Sequence, residues 1–345
     1  MKQFIIVIIL LGGILFYAWR LTTPPQSKSE MVEVVIEKGD NYFVIADKLL
    51  DNGLIRSESA FKAYLKLNPP KTLQACTYQL DKSWTIKQII DELEKTCTTN
   101  NDVVYVTIPE GKHLKQVAEI VAKTINYTAD EIMEVWTSEE FVDEVIEKYD
   151  FVTEGVKKEN VRYSLEGYLF PAKYELLNKD VDPKYVAFRM LDQMDKIYQK
   201  YQADFESSKY SFHQLLTMAS IVEYEAILDD DRPIIAGVFY NRLNYNMRFQ
   251  SCATLGYALN EWKLIYSISD TETNHPYNTY QNNGFPPGPG GMPGEKSIVA
   301  ALNPTNTEYL YFQANVCDTS DSKTYFAKNY IEHNQITSEL NKNCQ

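Results

Sequence analysis

Two carboxylates stand where the pattern of a helix calls for apolar residues. The stretch "ASIVEYE", residues 219–225, puts Glu223 and Glu225 directly after an apolar run, with one tyrosine between them. At about 100° per residue along Leu215 to Leu228, Leu215, Met218, Ala219, Val222 and Ala226 share one arc, and Thr217, Ser220 and Tyr224 fall opposite. Both glutamates land on the shoulders of the apolar arc, Glu223 beside Leu216 and Ala219, Glu225 beside Met218 and Ile221. Apolar surroundings disfavour the charged form of a carboxyl and raise its pKa. A carboxyl still protonated near neutral pH can act as a general acid. The competing reading is structural: the pair reaches solvent or meets Arg232, Arg242 or Lys173 in ion pairs that carry no chemistry.

A second stretch adds binding chemistry. "YNTYQNNGFPPGPGGMPG", residues 277–294, sets Tyr and Asn on a stiff Pro/Gly framework. Long irregular segments inside a domain are usually functional or disordered, and this one is too aromatic for a flexible linker. Sugars, with apolar ring faces and hydroxyl edges, suit such a surface. "LEGYLFP", residues 165–171, has the same texture. The alternative is an Ω-loop packed for stability.

The elements that must position these stretches follow from periodicity. "VEVVIE" alternates as a strand, and "NYFVIADKLL" and "SESAFKAYLKLN" read as amphipathic helices, the second capped by Ser57 or Ser59 and stopped by Pro69-Pro70. "CTYQLD" is a strand and "TIKQIIDELEK" a helix. "DVVYVTIPEGKHLKQVAEIVAKT" repeats the strand, turn and helix of the first segment, a weak internal repeat. Helices continue through "ADEIMEVWTSEEFVDEVIEKY". Beyond Tyr163 come three long helical patterns, the Pro/Gly loop, the helix "EKSIVAALN" and the strands "YLYFQAN" and "KTYFAK". The fold class expected is α+β. The expected segments are a membrane anchor over 1–21, a linker over 22–31, a small strand–helix subdomain over 32–97, a second α/β segment over 98–160 and a catalytic domain over 161–345.

Composition bounds the rest. The 345 residues are 44% apolar and 23% charged, ordinary for a globular chain of two or three domains. The net charge of −13, with no basic stripe, argues against a nucleic-acid partner. From Lys2 to Arg20 the chain is uncharged over roughly 17 residues, at the short end for a membrane span. Lys2 suits the cytoplasmic side, Tyr17 and Trp19 the far interface. A cleaved signal peptide is the competing reading, but no small-x-small site follows. Either way the bulk of the chain lies outside the cytoplasm, where disulfides are allowed. The five cysteines form no C-x-x-C and the four histidines are scattered, so neither zinc nor another cofactor is expected. Cys76 with Cys97 and Cys317 with Cys344 are local candidate pairs; five buried thiols are the alternative.

The order of motifs carries a resemblance. "LEGYLFPAKYEL", "ASIVEYEA", "AGVFYNRLNYNMRFQSCATLGYAL", "YNTYQNNGFPPGPGGMPGEKSIVAALNPTNTEYLYF" and "YFAKNYIEHN" occur in sequence, and from Val32 to Asn334 the chain resembles the endolytic murein transglycosylases of the MltG (YceG-like) family. The resemblance implies cleavage of peptidoglycan glycan strands between N-acetylmuramic acid and N-acetylglucosamine, leaving 1,6-anhydro ends. It implies action at the membrane on nascent strands, beside cell-wall synthesis proteins, and a LysM-like N-terminal subdomain. It carries the catalytic role to Glu225, with Glu223 as the alternate, and nominates Glu166, Tyr174, Asn241, Gln250, Asn278 and Tyr280 for substrate binding; Glu166 could equally be a buried structural acid. Cys252 stands where the family pattern leads one to expect Asp, and Met292 where Asn is usual. Cys76 and Cys97 stand near expected glycines, which favours pairing them. Two other readings stay open: a muramidase-type hydrolase, with Asp229, Asp230 or Asp231 as second carboxylate, and a non-catalytic wall-binding scaffold.

Overall fold

The computed structural model describes residues 20, 23–36, 40–70, 73, 76–94, 103–263, 265–315 and 323–342. The expected anchor over 1–21 and the cysteines Cys97, Cys317 and Cys344 lie outside the described residues, apart from Arg20. Among the described residues no helix is long and apolar enough to cross a membrane. The chain divides into two compact units, Met1–Asp102 and Val103–Gln345.

The first unit is a two-stranded antiparallel sheet with helices. β1 (Met31–Ile36) is followed by α1 (Tyr42–Asp51), α2 (Glu58–Leu67), β2 (Cys76–Asp81) and α3 (Ile86–Leu93). β1 and β2 pair from Met31↔Asp81 to Ile36↔Cys76. Alternation in β1 turns Val34 and Ile36 inward, where they meet Ile45, Leu49, Phe61 and Ile89 of the three helices. Each helix starts on a side-chain cap: Asn41, Ser57, and a Thr85–Gln88 capping box. Cys76 is disulfide-bonded.

The second unit opens with β3 (Val104–Thr107), α4 (Leu114–Ala122), α5 (Ala129–Thr137) and α6 (Glu139–Lys148). β4 (Lys173–Leu176), α7 (Pro183–Lys200), α8 (Gln202–Ser207) and α9 (Phe212–Glu225) follow. Then come α10 (Arg232–Asn244), α11 (Cys252–Leu259), α12 (Ile268–Thr271), α13 (Glu295–Leu302), β5 (Tyr311–Ala314), β6 (Thr324–Ala327) and α14 (Tyr330–Lys342). β3 finds its partner in β4, antiparallel from Val104↔Leu176, so the stretches read from the sequence as 98–160 and 161–345 share one unit and one core from Val103 onward. Trp136, fully buried, donates from Nε1 to Pro183 O at 2.8 Å and ties α5 to the start of α7.

α9 is the axis of this unit. A Ser211–Gln214 capping box starts it, and every residue from Leu215 to Val222 is buried, Thr217 and Ser220 included. Those two hydroxyls escape the cost of burial by bonding within the helix, to His213 O at 2.7 Å and Thr217 O at 2.8 Å. α10, α11 and α13 pack around it. The Pro/Gly stretch over 277–294 is irregular, as its composition predicts, and is fixed to the body: Gly111 N donates to Met292 O and Met292 N to Lys112 O, both at 2.8 Å.

α10 holds the strap that follows α13. Asn241 Nδ2 donates to Thr307 O at 2.7 Å and Tyr309 O at 3.0 Å, and Arg242 Nε to Leu310 O at 2.7 Å. One turn earlier the strap presses on Gly237, where an added Cβ would lie 2.4 Å from Thr305 O. A helical glycine normally gains from an alanine; here Gly237→Ala is expected to destabilise by about 1–3 kcal/mol through overpacking. A lowered denaturant midpoint with an unchanged slope would show it.

Candidate active site

The last turn of α9 sends its two glutamates into opposite environments. Glu223 is met by cations and main chain. Arg232 Nη2 lies 3.1 Å from its Oε1, with only 10% and 8% of the two side chains exposed. Gly294 N, at the start of α13, donates to Oε2 at 2.9 Å. Both oxygens are therefore committed, and Asp229 shares the same guanidinium at 3.6 Å. For Glu223 the ion-pair reading of the sequence is the one observed.

Glu225 has no such partner. Its carboxyl is partly buried, and burial raises its pKa above the ordinary carboxylate range. Opposing that shift are Ser251 Oγ, which donates to Oε1 at 2.6 Å, the backbone N–H of Ala253 and the charge of Arg242. These donors sit at the N-terminus of α11. Ser251 is the N-cap residue of α11, yet its side chain makes no cap bond within the helix; its hydroxyl is given to Glu225 instead. The Glu225 carboxyl thus takes the place of a capping side chain, at the end of the helix that favours negative charge. Arg242, 7% exposed, is held behind it by Leu310 O and by Phe249 O at 2.5 Å. Burial favours the protonated form of the group, and the donors around it favour its conjugate base.

The Pro/Gly loop locks this arrangement. Thr279 Oγ1 accepts from Ser251 N at 3.1 Å and contacts Thr254 Oγ1 at 2.7 Å, while Gln250 N donates to Thr279 O at 3.1 Å. Gln250 adopts a left-handed φ of 49°, a costly conformation outside glycine that these bonds impose. Tyr280 OH lies 3.3 Å from the free thiol of Cys252. Burial first, then this contact and the charge of Glu225, push the Tyr280 pKa up, so it remains a neutral donor.

Of the residues nominated for substrate binding, Gln250 and Tyr280 stand beside Glu225. Asn278 is fully buried and pins the loop, donating to Thr271 O at 3.0 Å and Thr273 O at 2.7 Å. Asn241 holds the strap described above. Tyr174 is buried and donates to Phe170 O at 2.5 Å. Glu166, 1% exposed, accepts from Leu114 N at 2.8 Å and Tyr257 OH at 2.9 Å, and burial pushes its pKa up to about 8. These four act as framework, because their polar atoms are turned inward to protein partners. Ser251 and Arg242 complete the site. The only sequence signal for Ser251 was a small polar residue immediately before an apolar helical run, an ordinary capping pattern.

A cavity of about 740 Å³ opens on the Glu223 side, lined in part by Glu110, Asp229, Glu295 and Lys296. Its size draws notice, but Asp229 and Glu295 are tied to Lys296 and Lys200, and Glu225 is not in its wall. Among the described residues no cluster of His, Cys, Asp and Glu could hold a metal ion.

The two glutamates should respond oppositely to amidation. Glu223→Gln leaves a buried guanidinium short of its closest carboxylate and is expected to cost roughly 3 kcal/mol. For Glu225 the folded-state pKa is raised, so its stabilising contribution is full below the unfolded pKa and lost as pH rises through the folded one. Glu225→Gln removes that loss. The variant should melt above the parent near pH 7, with the advantage gone below about pH 4. Thermal melts of both variants across that range test the pair.

Comparison with known proteins supplies the lineage. Residues 34–339 match the YceG-like family. An endolytic murein transglycosylase of Bacillus subtilis (strain 168) is 35% identical over 329 residues, covering 95% of this chain and 90% of that protein. One from Streptococcus pneumoniae serotype 2 is 34% identical over 348 residues, covering 95% of this chain but 62% of the relative's length. The crystal structure of a YceG-like protein from Listeria monocytogenes superposes with a TM-score of 0.64 at 37% identity, covering 90% of this chain and all of that one. With the match spanning nearly the whole of both compact units, the chain belongs to the YceG-like family.

Proposed function

We propose that this chain is a lytic transglycosylase that cuts peptidoglycan glycan strands internally, with Glu225 as general acid and then general base. The observation that carries the reading is a carboxyl whose pKa burial raises, with a hydroxyl, a backbone amide and a helix N-terminus arranged to receive its charge. Glu225 gives its proton to the oxygen linking N-acetylmuramic acid to N-acetylglucosamine, and the C1–O bond breaks. Positive charge develops at C1 of the muramic acid. The carboxylate, held by Ser251 and Ala253, then takes the proton of that sugar's C6 hydroxyl as O6 bonds to C1. Glu225 ends protonated, no water is consumed, and no second carboxylate is needed. Because the nucleophile belongs to the sugar itself, positioning supplies much of the rate.

The same reading places the protein. The uncharged stretch between Lys2 and Arg20 supports a single-pass anchor with a cytoplasmic N-terminus and both units outside. The first unit would serve as a LysM-like wall-binding element, and the site would act on nascent strands beside the synthesis enzymes.

Product mass tests the chemistry. Uncrosslinked glycan strands should yield ends lighter by one water, about 18 Da, than hydrolysed ends, because O6 replaces water as nucleophile; hydrolysed ends would transfer the role to water. Glu225→Gln should lower the rate about 100- to 10,000-fold; a variant that cuts at the parent's rate would remove Glu225 from the mechanism.

The pH profile tests the acid. Catalysis needs the protonated form, so activity should fall as pH rises through the raised pKa of Glu225. Ser251→Ala removes a donor that favours the carboxylate. Its falling limb should move to higher pH, and kcat should drop about tenfold with the lost bond to the anion.

A further inference from the structure

Trp262 is an exposed aromatic fixed in place from three directions. It is 41% exposed. Behind it stacks Tyr224, the residue between the two glutamates, with ring centroids 4.5 Å apart and planes 16° from parallel. Its Nε1 donates to His113 Nε2 at 3.1 Å, just before α4. Burial pushes the His113 pKa down to about 4, which keeps that nitrogen an acceptor. Its ring edge rests on α11 at Gly256, where an added Cβ would lie 2.9 Å from an indole carbon, so a glycine is required for the indole to sit there.

None of these contacts serves the acid chemistry, yet they place the indole next to it. Gly256 lies three residues beyond Ala253, whose amide holds Glu225, and so about one helical turn, roughly 5 Å, along α11. Tyr224 is the neighbour of Glu225 in the chain. A large apolar face left in water is unfavourable, and no core needs this one. Its rim is polar: Lys263 lies beside it, paired with Glu261 at 3.3 Å and Asp270 at 3.0 Å.

We propose that the exposed part of the Trp262 indole is a stacking subsite for a pyranose ring of the strand, next to the sugar whose bond is cut. This rests on the proposed function and deepens it. The C–H bonds on one face of a pyranose pack against the indole by dispersion and by attraction to its negative π face, while the ring hydroxyls reach the polar rim. Since the indole is already immobilised, binding orders no side chain, and the contact is gained without that entropic cost.

The full chain carrying Glu225→Gln binds without cutting and allows the subsite to be read alone. Titrating it with uncrosslinked glycan strands should change the tryptophan emission, and Trp262→Phe in the same background should remove the share of that change owed to Trp262, since Trp136 is fully buried and Trp19 and Trp84 are common to both proteins. In the active protein Trp262→Ala should raise KM about tenfold with kcat within about twofold, and Trp262→Phe should restore most of the loss. An unchanged KM in Trp262→Ala, or an emission change as large in Trp262→Phe as without that substitution, overturns the subsite. Strands that bind with the expected emission change but yield no anhydro ends leave the subsite standing and overturn the chemistry at Glu225.

Discussion

The short bond between Ser251 and Glu225 joins the end of one helix to the start of another, and the site depends on it. It satisfies a carboxyl whose neutral form burial favours and supplies a donor for its anion. Neither effect alone would suffice. Burial without donors gives a carboxyl that cannot release its proton, and donors without burial give one that has none to release. The rest of the second unit can be read as support for this balance: α9 delivers the acid, α11 the donors, α10 the distant charge of Arg242, and the Pro/Gly loop clamps Ser251 through Thr279.

The separation of the glutamate pair has the same logic. Two residues apart on a helix, they point nearly to opposite sides. One is paired with Arg232, and the other has its neutral form favoured by partial burial. Had both met cations, neither would hold a proton at neutral pH; had both been merely buried, the end of α9 would carry two uncompensated acids. The Gly294 N–H bonded to Glu223 Oε2 anchors the start of α13 and the end of the loop to the turn of α9 that carries Glu225.

Much of the frame was legible in the sequence. The strand and helix order of the first unit, the apolar run of α9 and the irregular loop all follow from local periodicity and from Pro and Gly, which act at short range. The environments of Glu223 and Glu225 were not legible from periodicity, which gave both the same shoulder position; Arg232, Ser251 and Gly294 decide between them from 9 to 71 positions away in the chain. The family resemblance chose Glu225 without those contacts. It also nominated Asn278, Asn241, Tyr174 and Glu166 as sugar contacts, because polar and aromatic residues look alike in sequence whether they face a ligand or fasten a loop. The boundary near residue 160 dissolved for a similar reason: the partner of β3 is β4, some seventy residues on, a pairing that no local pattern announces.

The loop's attachment at Met292 is made by main-chain atoms, with Gly111 and Lys112 exchanging one bond each with its backbone. The side chain at this position therefore takes no part in the fastening. The thioether goes inward, fully buried, and receives the Gly167 N–H at 3.2 Å. The fastening constrains the peptide unit, so a proline, lacking the amide hydrogen, would unfasten the clamp, while a side chain without the sulfur would leave the buried Gly167 N–H without its acceptor.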